Sequence, residues 1–168
     1  GGLPHSVIHW GGDIMIHTVL ARETCRTCRN CCWYTDDDVW DAPGFTKSEL
    51  DQEKRLTDNP VYEDRGLFFF RMEKDQGIYT CPLLRETGCL LDSEKPFKCA
   101  IWPFYVVRVN ESLALAVSSE CPSVYQLSNR ELIDRLGEVL EQIADRARSM
   151  PELIEPCRAH FRIVAELD

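Results

Sequence analysis

The sequence predicts an α+β fold: a small antiparallel sheet, cysteine-rich loops beside it and a long C-terminal helix. Three observations carry that prediction. Residues 67 to 118 alternate aromatic and β-branched runs with short turn-forming stretches, the pattern of strands and hairpins. Residues 128 to 149 place apolar side chains at helical spacing behind a capping box. Of nine cysteines, four crowd into residues 25–32, and Cys81, Cys89 and Cys99 lie in a turn-rich segment between the strand pairs.

The 168 residues suffice for one domain with a true apolar core and are short for two. The expectation is a single domain over residues 1–168, with a cysteine-cluster core at about 22–122 and a helical part at about 128–168. Hydrophobic residues at 44% and charged residues at 28% are ordinary for a globular chain. A net charge of −9 argues against a general binder of nucleic acid or anionic membranes. The longest nearly uncharged apolar run, around Ala100 to Val107, falls far short of a membrane span. The stretch GGLPHSVIHW lacks the basic start and apolar run of an export signal, so the expected location is cytoplasmic.

Along the chain, Thr46 stands three residues before Glu49, the spacing of a capping box, and predicts a short helix from about Lys47 to Leu56. Asn59-Pro60 ends it. GLFFFRM and GIYTCPLL flank Glu73-Lys74-Asp75-Gln76-Gly77 and predict a hairpin. FYVVRV and LALAVS flank Asn110-Glu111-Ser112 and predict a second. Ser128 and Glu131 form another capping box, after which Leu132, Leu136, Val139, Leu140, Ile143 and Ala147 make one apolar stripe that reads as a core-facing helix. Pro151 stops that helix, and a weaker one is expected over about Pro156 to Leu167 with Cys157 in its first turn.

CRTCRNCC, residues 25–32, puts four cysteines into eight positions. An odd total and the absence of an export signal fit a disulfide framework badly. Metal ligation is the better reading. As a helix, the segment places Cys25, Cys28 and Cys32 on one face; as a loop, Cys25, Cys28 and Cys31 have the C-x2-C-x2-C spacing that wraps an iron–sulfur cube. Either way one member of the Cys31-Cys32 pair is awkward for the same metal. Cys81, Cys89 and Cys99 follow at spacings of eight and ten, and Cys121 lies in SECP.

Cys25-x2-Cys28-x2-Cys31-Cys32, the step Cys81-Pro82…Gly88-Cys89, and the step Lys95-Pro96-x2-Cys99-x3-Pro103-Phe104 together resemble the YkgJ-type CxxCxxCC family. The resemblance spans roughly residues 22 to 122; where the family usually has Arg-Pro before its third-step cysteine, this chain has Lys95-Pro96. It implies a zinc- or iron-chelating domain whose cysteine-rich loops bind metal through Cys25, Cys28, Cys31, Cys32, Cys81, Cys89, Cys99 and Cys121.

Soft thiolates in a tight triplet favour iron, as an iron–sulfur cluster, over zinc, whose knuckles usually space paired C-x2-C units apart. The zinc alternatives are a stapled structural module and a storage or delivery protein. Arg26, Arg29 and Lys98 lie beside candidate ligands, where they read either as charge compensation or as solvated surface. Trp33, Tyr34, Trp102, Phe104 and Tyr105 read either as an apolar shell around the centre or as ordinary core. Asp36, Asp37 and Asp38 read as a solvated turn, His5, His9, His17 and His160 as surface or packed residues, and Cys157 as a packed thiol outside the ligand set. No Gly-rich phosphate loop and no H-E-x-x-H occurs, so no catalytic residue is named. The expected partner is a protein or a small-molecule substrate of the metal centre.

Overall fold

The computed structural model describes residues 33–35, 42–53, 57–85, 88–89 and 96–167. They form helices and several small sheets, an α+β arrangement. In chain order these are β1 (Trp33–Tyr34), α1 (Lys47–Glu53), β2 (Val61–Asp64), β3 (Leu67–Phe70), β4 (Glu73–Asp75), β5 (Ile78–Thr80), β6 (Leu84–Arg85) and β7 (Gly88–Cys89). Next come α2 (Phe97–Ile101), β8 (Phe104–Val109), β9 (Ser112–Ser118), α3 (Pro122–Tyr125), α4 (Asn129–Leu136), α5 (Val139–Ser149), a 3-10 turn at Pro151–Leu153, β10 (Glu155–Pro156) and β11 (Phe161–Glu166).

The largest sheet runs β10-β8-β9-β11, with β10 parallel to β8 and the other pairs antiparallel, so the sheet is mixed and not purely antiparallel as expected. The predicted β8–β9 hairpin is present, from Phe104 opposite Val117 to Val109 opposite Ser112, and Asn110 takes the left-handed conformation its turn needs. Phe104 to Val107 and Leu113 to Ser118 are buried without alternation, because both faces of these strands are covered. Helices α2 to α5 pack against the sheet, and Leu67 and Phe69 of β3 join the same apolar cluster. Ala116 and Ser118 lie on one face of β9, opposite Tyr105 and Phe161 respectively. Both are small, so the two rings meet across the central strand, centroids 4.6 Å apart.

β3 reads LFFF because it too is buried on both faces. Leu67 and Phe69 point into the large cluster, whereas Phe70 joins Phe45, Leu50 and Leu83 in a second one, with Phe68 packed beside it. The partner of β3 is β2, across an Arg65-Gly66 turn, and not the GIYT segment that the sequence pattern suggests. β5 pairs instead with the short polar β4 across Gln76-Gly77 and with β1 on its other side. Both two-residue turns have positive φ at each position, the backbone that matches the twist of a hairpin. The signal for β2 was hidden because three of its four residues are exposed and polar or aromatic.

The C-terminal part departs from expectation at three points. The long helix is two, of eight and eleven residues, because Gly137 takes φ +53° and ends α4 after Leu136. Its apolar stripe is core as expected: Leu132, Leu136, Ile143 and Ala147 are fully enclosed. The weaker helix expected over Pro156 to Leu167 is instead β11, paired with β9 and bulged at Val164. Phe161, Ile163 and Val164 favour a pleated edge once β9 offers one, and pairing outweighs the local helical reading. The part beyond Ser128 is therefore not helical throughout, and Cys157 lies exposed in the loop before β11, not packed in a helical turn.

Arg162 ties β11 to the helices: its two terminal nitrogens donate to the carbonyls of Tyr125 (2.8 Å) and Leu127 (2.7 Å), and its guanidinium lies 4.7 Å from the Tyr125 ring centre. Both predicted capping boxes form. Ser128 Oγ accepts from Glu131 N (3.1 Å) and Glu131 Oε2 accepts from Ser128 N (2.8 Å).

Two predictions test these contacts. A Cβ at Gly44 would lie 2.8 Å from Phe69 Cζ and 2.9 Å from Leu67 Cβ. Gly44→Ala should therefore lower stability in urea unfolding by about 1–3 kcal/mol, the usual range for overpacking. The hydrogen bonds from Ser128 hold the Glu131 carboxyl below its ordinary value of 4.5. Because the folded value is depressed, this contribution is present above that ordinary value and is lost as pH falls through the folded one. Melting midpoints of Glu131→Gln should thus drop less steeply than wild type on acidification below about pH 4.5; parallel curves would refute the assignment.

Candidate metal centre

Cys25, Cys28, Cys31 and Cys32 lie outside the described residues, as do Arg26, Arg29, Asp36, Asp37, Asp38, His5, His9 and His17. The other candidate cysteines lie in or beside four different elements. Cys81 immediately follows β5 and is half-buried, packed against the cluster of Phe45, Leu50, Phe70 and Leu83. Cys89 ends β7 opposite Leu84 of β6, across a small hairpin. Cys99 is half-buried in the middle of α2. Cys121, only 2% exposed, sits at the N-cap of α3, and its carbonyl accepts from Val124 N (3.2 Å) and Tyr125 N (2.9 Å).

The register of β1 on β5 bears directly on the cluster. Trp33 is opposite Thr80 and Tyr34 opposite Tyr79. Cys32 is the residue bonded to Trp33, and Cys81 the residue bonded to Thr80. The ladder therefore brings the chain that leaves the CxxCxxCC run to the strand that leads into Cys81.

A second set of contacts gathers around α2. Phe97, at its first turn, donates its backbone N–H to Glu49 Oε2 of α1 (2.7 Å). Pro103, just past the helix, accepts through its carbonyl from Ser118 N (2.9 Å), three residues before Cys121. Cys99 and Cys121 are thereby tied to neighbouring segments, and α1 bonds to α2 through Glu49 while its Leu50 enters the cluster beside Cys81. Among the described residues, no group of three or more Cys, His, Asp or Glu side chains could hold a metal ion.

Lys98 is neither a solvated surface residue nor aimed at bulk water. It is 6% exposed, forms an ion pair with Glu155 of β10, and lies 5.9 Å from the Tyr105 ring centre. Arg158 Nη2 approaches the second oxygen of Glu155 at 3.9 Å. This pair links α2 to the edge of the main sheet, and no local pattern in the sequence marks Glu155 as the partner. Trp102, Phe104 and Tyr105 belong to the large apolar cluster, and Tyr34 is buried at β1. His160 is half-buried with its ring 4.5 Å from that of Phe161, which fits the packed reading. The second bond of Glu49 was likewise missed, because the local capping signal accounts for only one of its oxygens.

Comparison of the chain with family models, with curated proteins and with solved structures finds no match. No helix among the described residues is long and apolar enough to cross a membrane.

Removing one member of a buried ion pair strands the other, which typically costs about 3–5 kcal/mol. Glu155→Gln should be destabilised on that scale in urea unfolding, and Lys98→Met should recover a substantial part of the loss in the double variant. Additive effects of the two substitutions would contradict the coupling.

Proposed function

We propose that this chain is a metal-binding protein of the YkgJ-type CxxCxxCC kind, a single domain holding an iron–sulfur or other iron–thiolate centre. Its ligands are drawn from Cys25, Cys28, Cys31, Cys32, Cys81, Cys89, Cys99 and Cys121. The observation that supports this reading is the β1–β5 register: Trp33, which follows the CxxCxxCC run in sequence, is opposite Thr80, which precedes Cys81. Consecutive Cα atoms are about 3.8 Å apart, so one residue beyond each member of a cross-strand pair is within reach of a shared centre. The soft character of an all-thiolate donor set favours iron–sulfur chemistry over hard cations.

Bound there, such a centre would supply electron transfer or a Lewis-acidic iron to a substrate or partner protein. The chain's own part is to present thiolates from α2, the β5 end and the α3 cap. Trp102, Phe104 and Tyr105 are buried in the same apolar cluster as Cys121 and would limit water access to a centre held there. An unmodified thiolate set of this density belongs in a reducing compartment, which supports a cytoplasmic location.

The test is elemental analysis with a visible spectrum on anaerobically purified protein. Iron with acid-labile sulfide is expected, lost in Cys81→Ser and Cys99→Ser and kept in Cys157→Ser. Colourless protein with stoichiometric zinc would overturn the iron reading in favour of a stapled module. Chelation should lower the melting midpoint, since metal-binding energy is folding energy when ligands come from distant segments; equal midpoints would count against a shared centre.

A further inference from the structure

We infer that Glu49 is a positioning residue of the metal centre, holding the helix that carries Cys99 to the helix whose Leu50 lies in the cluster beside Cys81; this rests on the metal reading above. Glu49 is half-buried on α1, and its two carboxylate oxygens do separate work. Oε1 accepts from Thr46 N at 2.8 Å, completing the capping box of its own helix, with Thr46 Oγ1 3.4 Å from Glu49 N on the return side. Oε2 accepts from Phe97 N at 2.7 Å, a contact across 48 residues that lands two positions before Cys99.

Helix α2 needs this outside help. It has five residues, too few to be stable alone, and its N-cap is Pro96, which supplies no side-chain hydrogen bond. A carboxylate is the strongest acceptor for a helix N-terminal N–H, through both the charge-assisted bond and the dipole. Leu50, the next residue after Glu49, is buried in the cluster against which Cys81 packs. One carboxylate thus ties the helix that carries Cys99 to the helix whose Leu50 belongs to the cluster beside Cys81.

Glutamine keeps the size of this side chain and only one carbonyl oxygen. Its amide nitrogen would face a backbone donor, so Glu49→Gln loses one cap without opening a cavity. The control is Ser128→Ala, which breaks the other capping box on α4. Both variants and the wild-type chain, loaded with the metal they are purified with, are challenged with excess EDTA below all melting midpoints. Metal release is followed by absorbance and elemental analysis. Glu49→Gln should release metal about 10-fold faster, the lower end for lost outer-shell support, with Ser128→Ala at the wild-type rate. Release from Glu49→Gln at the wild-type rate, or equal acceleration in both variants, would overturn the positioning role and leave the metal reading standing. Wild-type protein holding neither iron nor zinc would overturn both.

Discussion

The two-sided burial of β3 is the constraint on which the rest of the packing depends. Successive residues of a strand point to opposite faces, so Leu67 and Phe69 enter one apolar cluster while Phe68 and Phe70 serve the other. A single four-residue strand therefore belongs to both cores, and neither can shift without moving the other. Phe45 reinforces this by bonding to Phe68 in both directions, at 2.7 and 2.8 Å, and by meeting the Phe70 ring at 5.1 Å. Gly44 is the consequence of that closeness: the chain passes so near Leu67 and Phe69 that no side chain fits.

The cysteine-bearing segments hang on this frame through polar contacts more than through their own regular structure. Cys81 leans on the smaller cluster, Cys99 rides on a helix too short to be independent, and Cys121 opens another. The segments of Cys99 and Cys121 are held by long-range bonds: Glu49 to Phe97, Ser118 to Pro103 and Lys98 to Glu155. Charged groups that are buried with a partner hold direction as well as distance, whereas apolar contact alone tolerates sliding. A centre with ligands from distant segments demands that kind of control, which makes this polar framing and the proposed thiolate chemistry consistent with one another.

The features legible in the sequence are those set by near neighbours. Both capping boxes, at Thr46/Glu49 and Ser128/Glu131, involve residues three apart and form as read. The β8–β9 hairpin follows from two apolar runs around a turn, and the stripe from Leu132 to Ala147 faces the core. Reading failed where a local preference met a stronger distant one. Gly137 was passed over inside a convincing stripe, and the Phe161–Glu166 segment was drawn into a strand by the open edge of β9. Three Phe in a row announced a strand in β3 and nothing about its partner, because the exposed β2 carries no apolar signature.

For the candidate site, the inventory is legible in the chain alone: which thiols exist, their spacing, and the chemistry such soft donors prefer. Folding adds that β1 pairs with the strand leading into Cys81, that Lys98 is paired with Glu155, and that Glu49 reaches across to the helix of Cys99. The physical reason is range. Spacing and capping are properties of residues a few bonds apart, whereas register, ion pairing and shared burial join positions whose separation along the chain carries no trace of their contact.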